Sequence, residues 1–298
     1  MNALVSSAVV SPQDDIDFER RFGGIARLYG AAALARFRDA HVCVIGVGGV
    51  GSWAVEALAR SAIGSITMID LDNVAESNVN RQLHALTDTL GMAKVSALRR
   101  RIAQINPYCQ VTEIEDFVTP DNLDDMIGKR GYDYVIDATD NVAAKVALIV
   151  YCRARGIPLI VVGSAGGQID PTRIEVRDLT RTEQEPLLKK VRRRLRQLHG
   201  FPRGAKNKFG IDAVFSTEPL RYPGAVDAAA VDAAAVDTAA VDTEAPEMCA
   251  IDADGSAGIT GLNCAGFGSA MVVTASFGMV AAAHVLRLLA AENPSAFP

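Results

Sequence analysis

Val42-Cys43-Val44-Ile45-Gly46-Val47-Gly48-Gly49-Val50-Gly51 decides the fold of this chain. The unbroken apolar run Val42–Ile45 reads as a strand buried on both faces, and Val50–Ala62 carries a helical pattern. Between them Gly46, Gly48 and Gly51 fit Gly-x-Gly-x-x-Gly, with Gly49 inside the same turn. The first glycine permits a tight turn, the second lets backbone approach a phosphate, and the third lets helix and strand pack closely. The free N–H groups and partial positive charge of the helix start then favour an anion.

Outward from this turn, short β-branched runs alternate with helical patterns. Ser65–Asp70, Gln110–Glu115, Tyr132–Asp137 and Leu159–Val162 read as strands, Gly91–Ile105 and Val142–Arg155 as helices. The alternation predicts an α/β, Rossmann-like fold, a largely parallel sheet with helices on both faces. After Gly163 the pattern changes to a strand at Arg173–Val176 and a helix over Glu183–Leu198, with an apolar stripe of Leu188, Val191, Leu195 and Leu198. Extra strands and a C-terminal apolar helix thus extend a nucleotide-binding core at about 40–165, within one domain over 19–298. Residues 1–18 read as a disordered arm. Ala-Val-Asp recurs four times at a spacing of five over 225–242, matching neither structural period, so 224–247 reads as a low-complexity linker insertion.

The chain has 298 residues, 49% hydrophobic and 22% charged, with a net charge of −5. These values suit a soluble globular protein and give no overall pull toward nucleic acid, so such contact needs a local patch. Cys43, Cys109, Cys152, Cys249 and Cys264 form no Cys-x-x-Cys pair, which argues against structural zinc and against a disulfide framework. An N-terminus that turns acidic at Asp14, Asp15 and Asp17 lacks a secretory pattern, and a cytoplasmic location is expected. One stretch pulls the other way: 255–285 has no Asp, Glu, Lys or Arg, and Ala265–Ala283 within it is long enough to span a bilayer. Its many small residues favour a helix over Gly268–Ala291 buried in a core or dimer, with inner-membrane association as the alternative.

Asp70 closes the second strand 19 residues after Gly51, where an acid accepts hydrogen bonds from ribose hydroxyls. A dinucleotide-dependent oxidoreductase would look the same to this point. The next residues separate the two. Asp70-Leu71-Asp72-Asn73-Val74 runs on to Asn78-Val79-Asn80-Arg81-Gln82, a loop able to fold Asn78, Asn80 and Arg81 over the crevice. Hydride transfer has little use for an arginine aimed at phosphates. Nucleotidyl transfer does, because negative charge moves from the α-phosphate to departing pyrophosphate. Lys94, near a helix start, adds a second cation. Asp137-Ala138-Thr139-Asp140-Asn141 ends a strand at the sheet's carboxyl edge, where Asp140 can hold Mg²⁺ against a triphosphate. Asp137 and Asn141 are left to cap the next helix or brace the loop.

In this order the motifs resemble the adenylating superfamily of ubiquitin-activating enzymes and the ThiF- and MoeB-type sulfur-carrier activators of thiamine and molybdopterin synthesis. The resemblance implies ATP and Mg²⁺ and the adenylation of a carboxylate. It assigns Asp70 to the ribose, Asn78, Arg81 and Lys94 to the phosphates and Asp140 to magnesium, with the glycines, Asp72 and Asn80 in the same nucleotide-binding set. It also implies a homodimer in which Arg21 or Arg27 reaches the other subunit's ATP; nothing in the sequence chooses between them. A closer resemblance is to the branch that dehydrates threonylcarbamoyladenosine in bacterial tRNA, carried by Arg21–Gly30, Gly48–Arg60 and the segments 116–122, 166–172 and 214–218. That branch implies an acyl-adenylate on the threonyl carboxylate, followed by ring closure. The alternative within the superfamily is adenylation of the C-terminus of a ubiquitin-like or sulfur-carrier protein.

A tRNA substrate needs a cationic face. Pro186–Ile211 supplies Lys189, Lys190, Arg192, Arg193, Arg194 and Arg196, then Arg203, Lys206 and Lys208, with no acid among them. A solvated helix face is the plain alternative. Arg99-Arg100-Arg101 reads as helix surface. Cys249 is either an incidental thiol or, as protein-activating relatives imply, a thioester-forming residue or the contact for a sulfur-transfer partner of the cysteine desulfurase type.

Overall fold

The structure, a computed structural model, describes residues 17–204, 207–222 and 267–291. In strand β1 (His41–Ile45) the side chains of Val42 and Val44 enter one apolar layer and those of Cys43 and Ile45 the other, all buried. This two-sided burial is why the run shows no polar alternation. The sheet continues with β2 (Ser65–Ile69), β3 (Gln110–Ile114), β4 (Tyr134–Asp137), β5 (Leu159–Val162), β6 (Ile174–Asp178) and β7 (Asp212–Ser216), in the spatial order β3-β2-β1-β4-β5-β7-β6. All neighbours are parallel except β6, which pairs antiparallel with β7 at the edge. The chain moves outward from β1 through β2 to β3, then returns to β4 and moves the other way. That reversal leaves a crevice beyond the carboxyl ends of β1 and β4.

Helices α2 (Ala31–Asp39), α3 (Gly51–Arg60), α4 (Lys94–Ile105) and α7 (Met271–Ala290) cover one face; α5 (Val142–Arg155) and α6 (Pro186–Leu198) cover the other. Helix α1 (Phe18–Tyr29) packs Phe22 against Leu34 and Ala62 at the rim. The apolar C-terminal stretch is a core helix: Val273, Phe277, Ala281 and Val285 of α7 are fully buried. A Cβ on Gly278 would stand 2.4 Å from the Val50 carbonyl oxygen, so glycine sets how closely α7 approaches α3. The outward side of α7 stays apolar, with Val272 55% exposed. By length and composition α7 could cross a membrane, and half of its most apolar window is buried in the fold.

Three sequence expectations change. Helix α4 begins at Lys94 rather than Gly91, because Gly91 N–H donates to the Val74 carbonyl and Val74 N–H to Met92, pinning this segment to residues 73–74. The α6 stripe uses Leu187, Leu188, Val191 and Leu195. Leu198, in the last position of the helix, is 70% exposed. The triplet at 99–101 is only partly surface: Arg101 forms a two-pronged ion pair with Glu56, which is 4% exposed. Of the expected arm 1–18, Asp17 caps α1 and Phe18 opens it; the expectations for 1–16, 224–247, Lys206, Cys249 and Cys264 fall outside the described residues.

Candidate nucleotide site

The glycine turn takes the shape its residues demand. Gly46 has φ +78°, a conformation that strains any side-chain-bearing residue. A Cβ on Gly51 would lie 1.8 Å from the Gly46 carbonyl oxygen, so the third glycine closes helix onto strand. Asp70 locks the turn from the next strand: its Oδ2 accepts from Val47 N at 2.8 Å and its Oδ1 from Asp72 N at 3.0 Å. Burial raises the Asp70 carboxyl above the usual range, against the pull of Lys94.

Around the turn lies a crevice of ≈ 640 Å³ at the switch point, of a size typical for small-molecule sites. Gly46, Gly48, Gly49, Asp70, Asp72, Asn78, Arg81, Lys94 and Asp140 all line it, so the structure brings together most of the residues the sequence nominated. Lys94 is nearly buried at the first turn of α4, its Nζ 2.7 Å from Asp72 Oδ2 and 3.9 Å from Asp70 Oδ1. Arg81 arches over Gly49, with Nη1 donating to the Ser77 carbonyl at 2.8 Å and to Asn80 Oδ1 at 3.0 Å. Its own carbonyl accepts from Trp53 Nε1 of α3 at 3.0 Å and Thr274 Oγ1 of α7 at 3.5 Å. Asn78 lines the crevice while its Oδ1 accepts from Ala75 N. Asp140 has no hydrogen bond or ion pair among the described residues and is exposed at the rim.

Four nominated residues do not line the crevice of their own chain. Gly51 packs beneath the turn and does not line the crevice. Asn80 turns outward, donating to the Ser269 carbonyl at 2.9 Å, and so holds Arg81 to the start of α7. Arg21 caps the C-terminus of α4 through the Gln104 and Ile105 carbonyls, and Arg27 sits in the last turn of α1. Neither arginine lines the crevice of its own chain.

The loop expected around Asp137 has both supports. Asp137 Oδ1 accepts from Thr139 N and Oγ1, while Asn141 caps α5 through Ala143 N and Ala144 N. Beneath them is a pair the sequence reading missed: Lys145 Nζ lies 3.0 Å from Asp137 Oδ1, and both side chains are wholly buried. Glu185 is a second such group, capping α6 while accepting from Ser164 N at 2.8 Å on the crevice wall; burial raises its carboxyl. A lone lysine in the otherwise apolar start of α5 was the available signal for the first. Gln82 also lines the crevice, as do Phe117 and Thr119 of the 116–122 segment, none of which the motifs assign a role.

On α6, Lys189, Lys190, Arg192, Arg193 and Arg196 join Arg203 around a groove of ≈ 440 Å³, and Arg194 lies outside it. Two of these are partly committed to the fold. Arg192 donates to Thr182 Oγ1, and Arg196 lies over the Phe209 ring with its guanidinium 5.3 Å from the centroid. Burial, then the neighbouring Arg196, lowers the Arg192 pKa.

The model of the ThiF family matches residues 22–297. The tRNA threonylcarbamoyladenosine dehydratase of Escherichia coli K12 is 50% identical over 276 residues, 92% of this chain and 95% of that protein. That of Haemophilus influenzae is 47% identical over 274 residues, 92% of this chain and 94% of its own. The crystal structure of the E. coli enzyme, TcdA, in complex with ATP matches with a TM-score of 0.75 at 47% identity, covering 95% of this chain and 97% of that one. The molybdopterin-synthase adenylyltransferase of Salmonella typhimurium is 33% identical over 51% of this chain and 60% of its own length. The chain belongs to the ThiF family, and within it stands with the tRNA threonylcarbamoyladenosine dehydratases.

Proposed function

We propose that this chain is an ATP-dependent dehydratase that cyclises threonylcarbamoyladenosine in tRNA through an acyl-adenylate. The observation that carries the reading is the convergence of Arg81, Lys94 and Asp140 on a crevice floored by the glycine turn, in a chain whose E. coli relative is half identical along nearly its whole length. The threonyl carboxylate is a poor electrophile because oxide is a poor leaving group. Its oxygen attacks the α-phosphorus of ATP and pyrophosphate leaves. An internal nitrogen of the same nucleoside then attacks the acyl carbon and AMP departs with the carboxylate oxygen, for a net loss of water. Because nucleophile and electrophile share one nucleoside, ring closure gains from effective molarity and requires no enzyme nucleophile.

The N–H groups at the start of α3 and the Gly48-Gly49 backbone receive the phosphates, and Asp70 keeps its remaining lone pairs for the ribose hydroxyls. Lys94 exchanges Asp72 for phosphate oxygen, and Arg81 closes from above. The unpaired carboxylate of Asp140 fits a Mg²⁺ site completed by phosphate oxygens, as that ion takes one or two protein carboxylates. Bound there, Mg²⁺ would neutralise charge on the departing pyrophosphate. The active form is a homodimer in the cytoplasm, with Arg21 or Arg27 directed at the other subunit's ATP, and α6 is the face for tRNA phosphates.

The decisive experiment incubates the protein with ATP and tRNA either carrying or lacking the modified nucleoside, followed by nucleoside mass spectrometry. Only the modified tRNA should yield AMP and pyrophosphate, with a nucleoside lighter by one water. ADP as product, or an unchanged nucleoside, rejects the reading. A small protein ending in Gly-Gly that stimulates ATP–pyrophosphate exchange would favour the carrier-activating alternative.

A further inference from the structure

A second cavity of ≈ 630 Å³ lies on the far side of the segment that carries Arg81. Arg21 of α1, Arg60 of α3, Arg100 and Arg101 of α4 and His84 line it. Among the described residues, two carboxylates offset the four guanidinium groups: Asp88 on the wall and Glu56 behind Arg60 and Arg101. Burial would raise Glu56, but hydrogen bonds from Arg101 and Arg60 hold it below its usual value, so it remains an anion and the cavity keeps an excess of positive charge.

Those pairings leave donors over. Arg60 uses Nε on Glu56, Arg101 uses Nε and Nη2, and Arg21 uses Nη1 on the α4 carbonyls. Arg100 makes one weak contact, to Met92 Sδ at 3.5 Å. His84 is the sharper signal. It is 2% exposed, and neither Nδ1 nor Nε2 has a hydrogen-bond partner among the described residues. A buried polar group left unpaired costs the fold stability, and a native chain keeps one where something else satisfies it. Burial, with the charge of Lys94 adding to it, pushes the His84 pKa down to about 4, so the ring is neutral and offers one N–H.

We propose that this cavity is a second anion site, taking a phosphate group between Arg21, Arg60, Arg100 and His84, separate from the nucleotide crevice and leaving Arg27 as the arginine for the other subunit's ATP. The site would also speak to the crevice. Arg81 and Gln82 line the crevice and Leu83, His84 and Thr89 line the cavity, so one segment walls both. Leu83 N–H donates to Ser52 Oγ in α3, and Trp53 holds the Arg81 carbonyl. The phosphate has two sources, a free anion such as pyrophosphate or the backbone of an RNA. Only the RNA source rests on the function proposed above.

The test uses the full chain with its crevice saturated by a non-hydrolysable ATP analogue. One arm titrates inorganic pyrophosphate by calorimetry. The other measures binding of unmodified tRNA against salt. The variants are Arg100→Gln, an exposed side chain whose loss leaves the fold intact, and His84→Leu. One lost charge-assisted contact weakens binding about tenfold. If the occupant is a free anion, the parent binds pyrophosphate and both variants bind it about tenfold more weakly, with tRNA affinity unchanged. If the occupant is RNA, both variants weaken tRNA binding and Arg100→Gln lowers the salt slope by about one unit. Unchanged affinity for both probes in both variants overturns the proposal. The proposed function fails separately, through ATP turnover on modified tRNA.

Discussion

A methyl group on Gly51 would stand 1.8 Å from a backbone oxygen that cannot move without opening the turn. Gly51→Ala should therefore cost about 3 kcal/mol or more in thermal melting and abolish ATP binding by titration. Arg81→Gln should keep the fold while removing the cation proposed to face the departing pyrophosphate, and turnover on modified tRNA should fall by about 10²–10³-fold. His84 makes a pH prediction. Above pH 6.5 the imidazole is neutral whether folded or unfolded, and its full contribution is present. As pH falls toward about 4 the unfolded chain takes up a proton that the folded chain refuses, so stability drops, by on the order of 2–3 kcal/mol. Asp70 and Glu185, raised by burial, act in the opposite sense and cancel when His84→Leu is compared with the parent chain. The variant should show a shallower loss of denaturant stability over that window. At this scale the sequence was legible where chemistry repeats in fixed order: Asp70, Arg81, Lys94 and Asp140 reached one crevice. Lys145 and His84 were not legible, because what makes each unusual is a wholly buried position that no local pattern encodes.

Helix α7 touches the site without lining it except through Thr274. It carries Gly278 against Val50 and Ala54 of α3, and Thr274 beneath the Arg81 carbonyl. Gly278→Leu should thus lower the melting temperature and weaken ATP binding together, since it pushes α3 and its phosphate-facing start away from the sheet. A variant that lost stability with ATP affinity intact would show that α7 only fills the core. Removing one partner of the buried pair under the 138–141 loop, Lys145→Met, should cost about 3–5 kcal/mol by denaturant unfolding, because Asp137 would be left a lone buried charge. The parallel core could be read strand by strand because its runs are apolar on both faces. Strand β7 was harder. Its Asp212-Ala213-Val214-Phe215-Ser216 run is short, and it slots between β5 and β6, out of chain order. The start of α4 was misplaced by a long-range pairing with residues 73–74, which outweighs local helix pattern.

For the molecule as a whole, a net charge of −5 coexists with a basic groove on α6, on the face of the sheet away from α4 and α7. Association with tRNA should be steep in salt. Reversing Lys189, Lys190 and Arg193 together should flatten that dependence by about three units while leaving ATP binding alone. Arg192→Ala and Arg196→Ala should instead cost stability, since both side chains brace the fold. The docking of α7 ties the site to the order in which the chain is made. The order of synthesis runs from the glycine turn to α7, yet Arg81 is seated against Thr274 and tied through Asn80 to Ser269. A nascent chain with its first two hundred residues already emerged from the ribosome would have its cradle but no anchored arginine, and so would not spend ATP before α7 has emerged and docked.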